Sequence, residues 1–204
     1  YFQDGGNIET LTYKSCVVSD MNTFVKFRDA TSSSHLIIEN TYLYTIGQFM
    51  VWVQDAKTQK VTLTSNVIDA SNCGGVTNTG AALFRLRSAS LVAYDNVFIG
   101  DSANDPGFFE LSAADGKSVI KYNTFKNVTK YVYAEKTNNV VFDENLYLDA
   151  NGNALTAAPK QLAATGLTAD ATVCTSEEDR ASRYVKELIS LYPDRYFLVE
   201  YELN

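Results

Sequence analysis

Two sets of side chains in this sequence recur at matched positions and could share one surface. Segments 24–30 (FVKFRDA), 50–56 (MVWVQDA), 83–89 (LFRLRSA), 108–114 (FFELSAA) and 131–137 (YVYAEKT) alternate with period two, as half-buried strands do. On this pattern Val25/Phe27, Val51/Val53, Phe84/Leu86, Phe109/Leu111 and Val132/Ala134 point inward. The outward positions form two columns. Lys26, Trp52, Arg85, Glu110 and Tyr133 make one, and Arg28, Gln54, Arg87, Ser112 and Glu135 the other. Four of the 17 basic residues and the only Trp thus fall on one face. Such a set suits an acidic sugar, because indole packs against a pyranose face and a guanidinium fork pairs a carboxylate. The candidate ligand-binding residues are therefore Lys26, Arg28, Trp52, Gln54, Arg85, Arg87, Glu110, Tyr133 and Glu135. Charges spread over an outward sheet face for solubility and cross-strand pairing would give the same pattern. Two long loop stretches, 69–81 and 100–107, enter this face and are placed to wall a groove.

Other chemistry is thinner. His35 is the only histidine and is expected to be a packed structural residue, which disfavours Ser-His-Asp or Cys-His catalysis. Cys16, Cys73 and Cys174 lie far apart with no CxxC pair, so neither a zinc knuckle nor a disulfide framework organises the chain, although one disulfide stays open. Asp149, Asn151 and Asn153 have the spacing of a calcium loop but the glycine is misplaced, which makes a hairpin turn the better reading. Asp101 and Asp105 read as solvated loop acids before calcium ligands. Asn127-Val128-Thr129 is a glycosylation sequon only in a eukaryotic host. No metal site is predicted.

The columns require a scaffold that repeats. Five segments, LIIENTYLY, VTLTSNVID, LVAYDNVFIG, VIKYNTFKN and VVFDENLYLD, each place an Asn two residues before a large apolar side chain. These are Asn40, Asn66, Asn96, Asn123 and Asn145, spaced by 26, 30, 27 and 22 residues. Three residues before them stand Ile37, Leu63, Ala93, Ile120 and Phe142, and two after stand Tyr42, Ile68, Phe98, Phe125 and Tyr147. The chain therefore turns at the Asn, which tolerates left-handed backbone, and amides stacked at the strand spacing of ~4.8 Å can form a ladder. An earlier copy, TLTYKSCVVSD, carries Lys14 or Ser15 at this place. Each coil reads as strand, Asn corner, strand, variable loop, strand, turn. A sandwich has no need of three aligned strands recurring every 22 to 30 residues.

The prediction is an all-β fold: a right-handed parallel β-helix of about six coils over residues 8–153, then a capping segment over 154–204. Within that segment residues 154–175 show no period, and a helix is expected at about 176–191. Thr175 or Ser176 can cap it, and Tyr184, Val185, Leu188 and Ile189 form a face predicted to pack on the last coil. An extended RYFLVEYEL follows. No comparable cap is visible at the N-terminus, so residues or flanking domains of a larger protein are expected there.

Over about residues 8–150 this Asn-x-apolar corner with three strands per coil resembles the pectate-lyase-like right-handed β-helix superfamily. The resemblance is one of fold. It implies an extracellular or cell-surface setting, commonly bacterial, with polysaccharide as the usual ligand. In the superfamily's polysaccharide lyases, Arg or Lys on the equivalent strand acts as base and carboxylate neutraliser. On that footing Arg85 or Arg87 would be the base and Glu110 a calcium or substrate contact. The paired Asp residues of the superfamily's hydrolases have no counterpart, since Asp29 and Asp55 stand only at strand ends. Calcium is the one cofactor the resemblance allows.

Bulk composition narrows the rest. A net charge of −7 argues against a nucleic-acid partner, because a phosphate backbone rewards a basic surface. No run of eighteen apolar residues is present to cross a bilayer as a helix. The leading expectation is a non-catalytic carbohydrate-contacting module, with an acidic-polysaccharide lyase and a structural spacer or adhesin segment as the alternatives.

Overall fold

The structure is a computed structural model that describes residues 7–28, 32–54, 60–71, 73, 82–100, 107–112, 116–133, 137–168 and 171–193. Five candidate features therefore lie outside the described residues: Asp101, Asp105, Glu135, most of the two loop stretches and the RYFLVEYEL segment. So do the side chains of Arg28 and Gln54.

The first coil holds β1 (Asn7–Lys14), β2 (Val17–Val18) and β3 (Met21–Arg28). The second holds β4 (Ser32–Glu39), β5 (Tyr42–Leu43) and β6 (Ile46–Gln54). The third holds β7 (Lys60–Thr64), β8 (Val67–Asp69) and β9 (Phe84–Leu86). In the fourth are β10 (Ser90–Tyr94), β11 (Val97–Ile99) and β12 (Phe109–Leu111). The fifth begins with β13 (Ser118–Lys121) and β14 (Thr124–Lys126), and the sixth has β15 (Val140–Asp143) and β16 (Asn145–Leu148). After these come α1 (Lys160–Ala164), β17 (Val173–Cys174) and α2 (Glu177–Leu191).

Strands pair in parallel with their counterparts one coil on, giving sheets of order β1-β4-β7-β10-β13-β15, β17-β16-β14-β11-β8-β5-β2 and β12-β9-β6-β3. The chain is a parallel β-solenoid of about five turns. Alternation does the packing: β7 and β10 bury Val61, Leu63, Leu91 and Ala93 and turn the residues between them outward. Rings stack from coil to coil inside, with Phe98 on Phe125 at 4.9 Å and Phe125 on Tyr147 at 5.5 Å between centroids. Offset stacking of this kind adds to the area term in a core.

The Asn corner is present, with one correction to its chemistry. Left-handed backbone falls on the residue before the Asn: Ser65, Asp95, Tyr122 and Glu144 have φ between 49° and 58°. The Asn itself is buried. Asn66 donates its backbone N–H and its Nδ2 to Asn96 Oδ1 at 3.0 and 2.9 Å. Asn96 does the same to Asn123 (2.9 and 2.9 Å), and Asn123 to Asn145 (2.9 and 3.0 Å). Each Nδ2 also reaches a strand carbonyl, as Asn123 does to Ala93 at 2.9 Å. Buried amides are thus fully engaged, which is what burial demands of them.

Asn40 is not a rung of this ladder. It is exposed, carries the left-handed φ of 48° itself, and donates to Ser15 Oγ at 3.1 Å. Thr41 takes the ladder position and donates its N–H to Asn66 Oδ1 at 2.9 Å. The second coil is therefore displaced by one residue from the expected alignment. Ile38 and Leu43 are buried in place of Ile37 and Tyr42, and Leu36 in place of His35. A slip of one residue exchanges the two faces of a strand. His35 consequently sits on the outer face, half-buried, with Nε2 2.7 Å from Thr62 Oγ1, and is not the packed core residue expected.

The C-terminal end is closed by the stretch that had no period. Leu162 of α1 is fully buried in the core. Gln161 accepts from the Tyr131 N–H at 2.6 Å and donates to the Val132 carbonyl at 2.8 Å, closing the edge of the third sheet. β17 adds a parallel strand beyond β16. Asp149 forms the expected hairpin turn, its carboxylate accepting from the N–H groups of Asn151 and Asn153 at 2.8 Å each.

Helix α2 begins at a Ser176 cap, whose Oγ accepts from the Asp179 N–H at 3.1 Å. It packs through only half of its predicted face. Tyr184 lies against the rings of Tyr94 and Tyr122 and Leu188 is half-buried, whereas Val185 and Ile189 are exposed, and Arg180 and Arg183 face the solenoid beside Tyr184. The reason is local: Asp95 and Glu144 stand at the corners of the solenoid and pair both arginines.

Candidate functional site

The third sheet sets the predicted column in successive rungs. Lys26 pairs with Trp52, Trp52 with Arg85, and Arg85 with Glu110. A bridge between Phe109 and Val132 brings Tyr133 next in line. In the second column Arg28 pairs with Gln54, and Arg87 and Ser112 continue their strands through bonds to Val53 O and Leu86 O at 3.0 Å each. Val25, Phe27, Val51, Val53, Phe84, Leu86, Phe109 and Leu111 are buried beneath, which is why the alternate positions line up outside.

The outward side chains close on one another. Lys26 Nζ lies 3.8 Å from the Trp52 ring centroid, and Arg85 Cζ lies 5.6 Å from it. Phe49 packs against the same indole at 4.6 Å between centroids. Cations over an indole face are attracted by its quadrupole. The indole is therefore engaged by a cation from the rung on either side, and its Nε1 is buried with no hydrogen-bond partner among the described residues. A sugar ring stacked on Trp52 would have to displace one of these cations.

Glu110 departs from the open strip that alternation implied: it is 0% exposed. Arg87 Nε donates to its Oε1 at 2.9 Å. Arg85 Nε stands 3.1 Å from Oε2, but its N–H does not point along that line, so this contact is ionic and neither atom counts as hydrogen-bonded. A lone buried carboxylate would cost several kcal/mol, and two guanidiniums offset that cost. Both arginines are set by the same acid, and their side chains are 16% and 31% exposed. Among the described residues the Nη nitrogens of neither arginine meet a hydrogen-bond partner. A calcium or substrate contact at Glu110 would have to break one of these pairs.

The remaining candidates do not converge on this face. Burial, with Lys60 beside it, lowers the pKa of His35, which lies on the first sheet. The three cysteines are free, and burial raises the thiols of Cys73 and Cys174 to about 11 each, so both stay protonated at neutral pH. Among the described residues no group of three His, Cys, Asp or Glu side chains could hold a metal ion. No helix there is long and apolar enough to cross a membrane. In comparisons with family models, curated proteins and solved structures, nothing matches this chain.

Sequence reasoning missed the arginine clamp on α2 and the role of Gln161. Neither carries a motif: each depends on which corner or edge the solenoid presents beside it.

Proposed function

We propose that this chain is a non-catalytic, extracellular or cell-surface module that contacts an acidic polysaccharide through the basic face of its third sheet. The observation that carries this reading is the pair of arginines held by Glu110. One buried carboxylate holds both guanidiniums, Arg87 by a hydrogen bond from Nε and Arg85 by an ionic contact at 3.1 Å, and leaves their Nη edges without partners among the described residues. Guanidinium edges fixed in this way are suited to a carboxylate-bearing chain, because the side-chain entropy of ordering them is already spent in the fold. Within the described residues Lys26, Arg85 and Arg87 outnumber Glu110 on this face of an acidic protein, so the local field favours an anion.

The test is electrophoresis through native gels containing polygalacturonate, alginate or a neutral glucan, with and without calcium. Retardation is expected in the two acidic gels alone, and replacing the whole cluster (Arg85→Met, Arg87→Met and Glu110→Leu together), which leaves no buried charge unpaired, should abolish it while the fold stays intact. Equal mobility in all gels would discard the reading in favour of a structural spacer. Ultraviolet absorbance of the same mixtures separates binding from cleavage: a growing unsaturated-uronyl signal would make the chain a lyase.

A further inference from the structure

Helix α2 is amphipathic, yet most of the bonds that dock it come from its charged side, with Tyr184 the one apolar-face residue in ring contact with the solenoid. Val185 is 48% exposed and Ile189 44%, while no residue of the helix is fully buried. The Arg180 side chain, by contrast, is only 12% exposed. Its Nη1 lies 2.6 Å from Asp95 Oδ1 and donates to the Tyr122 carbonyl at 2.6 Å. Arg183 Nη1 reaches Glu144 Oε1 at 3.3 Å, and Glu177 Oε1 accepts from Thr124 Oγ1 at 2.7 Å. Within the helix, Glu177 and Asp179 each hold one guanidinium Nε at 2.8 Å and so aim both arginines at the solenoid. Tyr184 adds ring contacts to Tyr94 and Tyr122 at 6.4 and 5.7 Å between centroids.

Asp95, Tyr122 and Glu144 are the left-handed corner residues of three successive coils. One helix thus spans three rungs through charged and hydrogen-bonded contacts at the surface. Partly exposed ion pairs weaken as salt rises, whereas the apolar packing that holds the coils does not. We propose that α2 is an ionic latch, which detaches from an intact solenoid as ionic strength rises and bares the corner formed by Asp95, Tyr122 and Glu144.

Amide hydrogen exchange of the full chain at low and high salt tests this. Amides within 177–191 should exchange about tenfold faster at high salt, while those of β10 and β13 keep their protection. Arg180→Gln should reproduce the change at low salt, and Val185→Ser with Ile189→Ser should leave it where it was. Exchange from α2 that ignores salt would overturn the latch. So would acceleration of α2 and the solenoid together, because the helix would then be an integral part of the core. Solenoid protection measured in the same experiment separates a released helix from a variant that failed to fold.

Discussion

Two pairs of arginines tie this molecule together, and they do so in opposite ways. Arg85 and Arg87 converge on a single carboxylate with no exposure at all. Arg180 and Arg183 spread over Asp95 and Glu144, whose side chains are about a quarter exposed at 26% and 21%. The acid of the first pair sits out of reach of solvent, and removing it leaves two cations facing each other with nothing between. The second pair works in contact with solvent, where each bond can be exchanged for water. Chemistry of the same type therefore serves as permanent cement on the third sheet and as a releasable tie on the corner.

The largest expected effect comes from Glu110. Glu110→Gln should destabilise the solenoid by about 3–5 kcal/mol, because it strands two partly buried guanidiniums. Chemical denaturation should show that loss at low and high salt alike. Replacing the whole cluster, with Glu110→Leu, Arg85→Met and Arg87→Met together, should restore most of the stability while removing any acidic-polysaccharide binding. If the triple variant is as unstable as Glu110→Gln, the cluster contributes more than charge balance.

Next in size is Arg180→Gln, expected to cost about 1 kcal/mol or less in global unfolding, and less again at high salt. An effect equal to that of Glu110→Gln would erase the contrast between the two pairs. A smaller, pH-dependent effect belongs to Glu144. Burial would raise its pKa, but hydrogen bonds from Lys121 and Tyr122 prevail and hold it below its ordinary value. Its contribution is therefore complete above the unfolded pKa and is lost as pH falls through the folded one. Thermal melts across the acid range should lose part of their slope in Glu144→Gln. The smallest expected effect on stability is that of His35, the only histidine. Burial lowers its pKa, so the fold prefers the neutral ring, and stability should decline slightly as pH falls below the ordinary 6.5. His35→Gln should flatten that step in the same melts.

Much of the fold could be read from residue order. Inward Leu63, Ala93, Ile120 and Phe142 and the Asn96–Asn123–Asn145 ladder are local patterns repeated at nearly fixed spacing, and repetition averages out ambiguity. Asn40 was misleading because its segment contains an Asn at a corner that wants left-handed backbone, and Thr41 can serve as the rung. The third-sheet columns were legible as register, but depth was not. Alternation places Glu110 outward, and only the approach of Arg85 and Arg87 from the neighbouring strand and strand end makes its burial tolerable. The period of α2 was legible too. Its orientation was not, because Asp95 lies 85 residues before Arg180 and acts through space.

The asparagine ladder has a direction. Asn66, Asn96 and Asn123 each lend two N–H groups to the oxygen of the next amide along the chain, never to the one before. Each Nδ2 also gives a hydrogen to a carbonyl of the coil before, so what a corner lacks until the next coil is in place is the acceptor for its backbone N–H and its second amide hydrogen. Each corner is completed by its successor, 22 to 30 residues further along the chain. The last amide, Asn145, keeps the bond to the coil before, to Ile120 O, and turns its other hydrogen toward the hydroxyl of Tyr147, 3.5 Å away, in place of a further amide. A chain cut before that residue would leave the backbone N–H of Asn123 without its acceptor.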